Sequence, residues 1–234
     1  HGFRAKADGD GVDTGAIQTF TTDAPATPGS AIARYFAPES GYSNGQTVDP
    51  WPDVLSNNDL DGFSSPTLSE TSLNGVDAVD TSQNNGFFEW NNGQVSAPAT
   101  IIWGFELLST SSNDHMLRIE GGRGVQINNN TYQLRFPDGN NTGGSVSTGD
   151  HIMTLTVDAS LNGTLRVNGS AVVTSGGQQD ILLDGSELFN DTRNNGRVPQ
   201  ILSGETVVYD TKLSGSDLAN EELRIESNLN MSVL

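Results

Sequence analysis

From Ala31 to Tyr209 the chain is cut every 8 to 15 residues by a short β-branched or aromatic run, closed by Gly, Asn, Asp or Pro. That rhythm is the signature of antiparallel strands stacked as a sandwich, because each short run needs a tight turn and a facing layer. The clearest unit is Thr164–Thr174, two strands around Asn168-Gly169. Asn-Gly suits a type I′ turn, whose two central residues both need positive φ. His151–Asp158 is apolar at Ile152, Met153, Leu155 and Val157 and mostly alternates. Ile101–Leu108 is almost continuously apolar, as in a central strand buried on both faces. Its Gly104 and β-branched start disfavour a buried helix. Further strands are predicted at Ile32–Phe36, Asp77–Asp80, Phe87–Trp90, Met116–Glu120, Gly124–Ile127, Tyr132–Phe136, Ile181–Leu183 and Thr206–Tyr209.

The last quarter reads as a strand, a bend and a helix. Glu205–Asp210 is β-branched and aromatic, and Thr211–Gly215 breaks it. Ser214 stands three residues before Asp217, like a capping box. Glu221 and Glu222 fall in early turns, where negative charge suits the helix dipole. Leu218, Ile225 and Leu229 form a thin apolar stripe that should dock the helix on the body. Residues 1–30 differ from the rest. Rich in Pro, Thr and Gly, with Ile17 and Phe20 the main anchors, they read as an extended arm or linker before a domain at 31–234.

The chain has 234 residues, no cysteine and 27 Gly. Disulfides add nothing, so the core must suffice alone, which this length allows. No run of about 18 apolar residues exists, so no membrane insertion by a helix is expected. Acids number 29 against 11 bases, a net charge of −18. A surplus of that size argues against nucleic acid as a partner, since phosphates are neutralised by Lys and Arg. Only Lys6 and Lys212 are lysines, and the acids are scattered. The pattern resembles proteins of extreme halophiles, in which salt screens self-repulsion; an ordinary acidic secreted protein is the alternative. Asn129, Asn140, Asn162, Asn168, Asn190 and Asn230 begin Asn-x-Ser/Thr sequons, which fits an extracellular surface that could carry sugar. The chain opens at His1 instead of Met, as a processed or excised piece would.

Four blocks in order resemble laminin-G-type domains of the concanavalin A-like lectin/glucanase superfamily. They are Ala33–Gly62 with its Trp51-Pro-Asp53, Leu73–Trp90 with Leu-Asn-Gly and Gly-Phe-Phe, Gly163–Val172, and Val207–Leu229 with Tyr209-Asp210 and Leu213-Ser214. The resemblance implies an all-β, concanavalin A-like antiparallel β-sandwich (jelly roll) closed by a short C-terminal helix. It also implies surface recognition, placing the protein outside a cell, on a cell surface or on a virion surface. The expected partner is a glycan or cell-surface glycoprotein. A structural role in a virion or surface assembly, joined to other subunits through residues 1–30, is the alternative.

Catalysis finds little support. Glucanases of this superfamily carry Glu-x-Asp-x-x-Glu on one strand, because hydrolysis needs two carboxylates flanking the bond. That spacing is missing here, and Glu106, Glu120 and Glu205 read as solvated strand residues. Arg118-Ile-Glu120, Gln126-Ile127 and Tyr132 echo polysaccharide lyases, whose Arg neutralises a uronate while another group moves the proton. Asn128 stands where those lyases have His. Three His without Cys make zinc improbable. Asp8, Asp10 and Asp13 have a spacing that could offer oxygens to Ca²⁺, against the plainer reading of a solvated acidic arm. For sugar binding, which needs an aromatic platform with convergent polar groups, the candidates are Trp90, Tyr132, Arg135, Asp138 and Asn140.

Overall fold

Strand pairing in this chain builds two antiparallel sheets packed face to face. The structure, a computed structural model, describes residues 31–56, 58–82, 85–90, 95–109, 114–119, 123–177, 185–189 and 199–234. The strands are β1 (Ala33–Phe36), β2 (Leu60–Phe63), β3 (Thr67–Leu73), β4 (Val76–Asp80), β5 (Phe87–Trp90), β6 (Ala99–Leu107), β7 (Asp114–Ile119) and β8 (Arg123–Asn128). They continue as β9 (Thr131–Phe136), β10 (Gly139–Ser145), β11 (Gly149–Val157), β12 (Gly163–Val167), β13 (Ser170–Ser175), β14 (Glu187–Leu188) and β15 (Ile201–Tyr209), and helix α1 (Gly215–Asn228) follows. Sheet A runs β13-β12-β11-β6-β15-β4-β3, with β1 also on β15. Sheet B runs β10-β9-β8-β7-β14-β5-β2. The fold is an all-β sandwich with one C-terminal helix.

The two sheets enclose the main core. Trp103, Met153, Leu155 and Val208 of sheet A meet Phe88, Leu117, Val125 and Leu134 of sheet B. At one end Tyr35, Trp51, Phe88 and Trp90 interlock edge to face, with Tyr35 and Trp90 centroids 6.1 Å apart. The polar atoms of Trp90 and Tyr35 are satisfied in series, while the Trp51 indole nitrogen has no partner. The Trp90 indole donates to the Tyr35 hydroxyl at 2.9 Å, which donates to the Asn58 carbonyl at 2.6 Å. Asp53, of the Trp-Pro-Asp segment, accepts from the Arg34 and Leu55 amides and from Ser56, pinning this loop on β1.

Sheet A is apolar on its other face too, and α1 covers it. Leu218, Ile225 and Leu229 pack on Ile102, Ile152 and Val207, as the stripe predicts. Gly104 and Gly204 make this docking possible: a Cβ at either would collide with Leu229, and at Gly104 with Ile225 as well. The expectation of solvated strand glutamates fails at Glu205. It is fully buried and accepts from Arg34 Nε at 2.7 Å, Arg224 Nη2 at 2.7 Å and Asn228 Nδ2 at 3.1 Å. Glu221 and Glu222 are buried as well instead of serving the helix dipole. Glu221 pairs with Arg224, and Glu222 accepts from Thr154 at 2.8 Å and Arg166 Nε at 3.1 Å. Ser214 precedes α1 in extended conformation, but its side chain makes no capping bond, so no capping box forms.

Eleven predicted strands reappear, most within a few residues, and Asn168 and Gly169 take positive φ of 48° and 73° as the hairpin turn demands. β2, β3, β10 and β14 are not anticipated. β10 spans the Asn/Gly stretch that reads as loop, and its glycines have a packing reason: a Cβ on Gly143 would strike the Val172 carbonyl of β13. Residues 1–30, Glu120 and the predicted strand Ile181–Leu183 lie outside the described residues.

Candidate functional site

Alternation along each strand decides what sheet B shows on its outward side. Phe88, Leu117, Val125, Leu134 and Leu188 point into the core, so their neighbours face out. Register then aligns Asp61, Glu89, Glu187, Arg118, Gly124, Arg135 and Asn140 in one row from β2 to β10. A second row holds His115, Gln126, Gln133 and Thr142. Phe63 and Phe87 pair directly at the β2 end. Their rings stack at 5.0 Å and 12°, and Phe63 is 39% exposed. At strand spacings of about 4.8 Å, a row across seven strands is roughly 29 Å long, enough for several sugar units.

The row is not uniform. At its centre Arg118 Nη1 holds Glu187 at 2.5 Å, and both are largely buried. Asp61, Glu89, His115 and Gln126 are engaged as well. Toward β10 the bonding thins. Arg135 Nη1 reaches the neutral Gln126 Oε1 at 3.5 Å and pairs with no carboxylate among the described residues. Gln133 is buried, yet its Oε1 has no hydrogen-bond partner.

The five sequence candidates divide. Arg135 and Asn140 stand opposite each other on the outward row. Asp138, at the turn between them, accepts from Asn141 at 3.0 Å and Ser175 at 2.8 Å, tying this hairpin to β13. Trp90 and Tyr132 are corrections: both are buried on the core side and offer no platform. Large aromatics bury the most apolar area, and each indole or phenol here has an internal partner. Tyr132 lies 3.4 Å from His151 Nδ1, and burial pushes its phenol up to about 12. His151 Nε2 lies 2.8 Å from the Ser147 carbonyl, so that nitrogen carries the proton and Nδ1 accepts from Tyr132. Burial lowers the imidazole pKa, against weaker upward effects of Ser147 and Asp150. The lyase-like set is thereby split, with Arg118 and Gln126 facing out and Tyr132 facing in.

Exposed Phe63 with half-buried Phe87, and the acidic row Asp61–Glu89–Glu187, escaped the sequence reading. The alternation of Phe87-Phe-Glu-Trp90 does put Phe87 and Glu89 on one side, but four residues do not say which side is outward. Among the described residues no three His, Asp or Glu gather as a metal site, and Asp8, Asp10 and Asp13 lie outside them. Of the sequons, Asn129, Asn140 and Asn230 are exposed, and Asn162 and Asn168 half-buried. The Asn162 amide donates to Asp158 and the Asn168 carbonyl oxygen accepts from the Ile152 amide, while Asn190 is not among the described residues.

No protein-family model matches this sequence, and no curated protein matches it. Solved structures do resemble it. The sialidase of Trypanosoma rangeli in complex with 2,3-difluorosialic acid aligns at TM-score 0.63 and 13% identity, over 89% of this chain and 35% of that one. The binding domain of Paraclostridial Mosquitocidal Protein 1 aligns at TM-score 0.56 and 13% identity, over 82% and 52%. The binding domain of botulinum neurotoxin serotype D/C aligns at TM-score 0.56 and 11% identity, over 84% and 52%. The chain thus spans about a third of the sialidase's length and half of each toxin binding domain's. At these identities the likeness shows a shared β-sandwich fold.

Proposed function

We propose that this sandwich is a non-catalytic, laminin-G-like recognition module that binds glycan, free or on a cell-surface glycoprotein, along the outward face of sheet B. The carrying observation is the exposed Phe63 stacked on half-buried Phe87 at the end of a polar row spanning the sheet. Aromatic faces stack on the apolar side of a sugar ring, and fixed amides and carboxylates take its hydroxyls. The fold shared with two binding domains and with a protein solved with a sialic acid derivative supports the reading. Absence of catalysis is favoured by the separation of Arg118 from Tyr132 and by the close Arg118–Glu187 pair, which already occupies the guanidinium. An extracellular or virion-surface setting in a salty medium fits the acidic surface.

The test is a glycan array and affinity electrophoresis at molar salt with the wild type and Phe63→Ala. Binding by the wild type that Phe63→Ala weakens supports the reading. A folded protein that binds no glycan under any ionic condition refutes it.

A further inference from the structure

Resting on that reading, the geometry points to a subsite for a carboxylate-bearing sugar, of the hexuronate or sialate class, at the β9 end of the outward face of sheet B. Arg135 carries it. Arg34, Arg118, Arg166, Arg224 and Lys212 each hold at least one carboxylate within 4.0 Å. Arg135 has only the neutral Gln126 amide, in a chain with 29 acids and 11 bases. A half-buried guanidinium left without an anion in so acidic a protein is a donor fork awaiting one, and its planar geometry matches a carboxylate.

Gln133 supplies the second, independent observation. It precedes Arg135 by two residues on β9, on the same face, about 7 Å away along the strand. It is 4% exposed and its Oε1 lacks any hydrogen-bond partner. Buried carbonyl oxygens are seldom left unpaired, and this one needs a donor. The subsite therefore asks for an anion at one end and a hydroxyl at the other. A uronate or sialate ring offers both. A sulfated sugar offers charge and hydroxyl but not the planar carboxylate that matches the guanidinium fork, and a neutral sugar brings the donor but no charge. Asn140 opposite Arg135 and Thr142 opposite Gln133 are exposed on the next strand and form the rim.

The net charge repels an anionic ligand at long range, so the assay belongs near 1 M KCl, where the Debye length is about 3 Å and local pairing decides. Calorimetry or NMR titration would compare uronate-containing, sialylated, sulfated and neutral oligosaccharides of equal length. The expected result is preference for a carboxylated ligand, weakened at least about tenfold by Arg135→Gln and less by Gln133→Leu, with both variants folded by circular dichroism. Phe63→Ala weakens all glycans, whereas Arg135→Gln spares neutral ones. Preference for sulfated or neutral glycans, or an unchanged acidic ligand in Arg135→Gln, overturns the subsite while leaving glycan binding standing. Failure of the wild type to bind any glycan overturns both.

Discussion

Beneath α1, Arg224 lies between Glu205 and Glu221, and Arg166 holds Glu222, with the carboxylates buried and the arginines half-buried. On the opposite outer face, Arg135 faces a neutral amide at 3.5 Å and Gln133 has an orphan oxygen. The two faces use the same residue types. What separates them is whether the partner is supplied by the chain. Under the helix the charges close on one another, and burial, which works against the Arg224 charge, is outweighed by Glu221 and Glu205, which hold its pKa up. On sheet B the row closes at its centre, at Arg118–Glu187, and opens toward β10. Paired charge there is architecture; unpaired charge is available chemistry.

The contrast can be broken first at the arginines. Arg224→Ala leaves Glu221 buried without its cation and Glu205 with Arg34 alone, and should cost about 3–5 kcal/mol. Arg135→Ala should change stability by less than about 0.5 kcal/mol, as an open surface site does. Denaturant unfolding at fixed salt measures both, and equal losses would erase the distinction. Next, Gly104→Val drives a side chain into Ile225 and Leu229 and should destabilise by about 1–3 kcal/mol through overpacking. A neutral outcome would mean that α1 is not pressed on the sheet.

Salt sharpens the comparison from outside. The exposed acids repel one another, so the melting temperature should climb from 0.1 M to molar KCl as the Debye length falls from about 10 to 3 Å. The enclosed pairs under α1 are screened far less, so the Arg224→Ala penalty should stay nearly constant across that range. A flat melting temperature would remove the halophile reading. The smallest effect belongs to His151, buried neutral with its pKa lowered. Unfolded His protonates near about 6.5. Below that pH the unfolded chain binds a proton that the folded one still refuses. Stability is therefore full above this value and declines as pH falls through it. Unfolding at pH 7.5, 6.5 and 5.5 should show the decline, reduced in His151→Gln.

Strand positions were legible where hydrophobicity and turn chemistry agree. Ile101–Leu107 has no polar alternative, and Asn168-Gly169 dictates its own turn. β10 was illegible because Gly143 and Gly144 are selected by the nearness of Val172, a tertiary fact that looks locally like loop. Glu205 was misjudged for a related reason: its three partners come from residues 34, 224 and 228, far apart in sequence. Of the site, Arg135 and Asn140 could be named from their types. Trp90 could not be told from Phe87, since alternation separates the two faces without naming the wet one.

β15 sits in the middle of sheet A, holding β6 on one edge and β4 and β1 on the other. It is nevertheless the most C-terminal strand among the described residues. Until residues 201–209 have left the ribosome, β6 and β4 cannot be bridged, and each keeps a raw edge. Completion of sheet A therefore rests on pairings of long sequence separation, which form slowly. A ribosome stalled before Ile201 would release a chain with unmatched edges, the kind that aggregates or is held by chaperones.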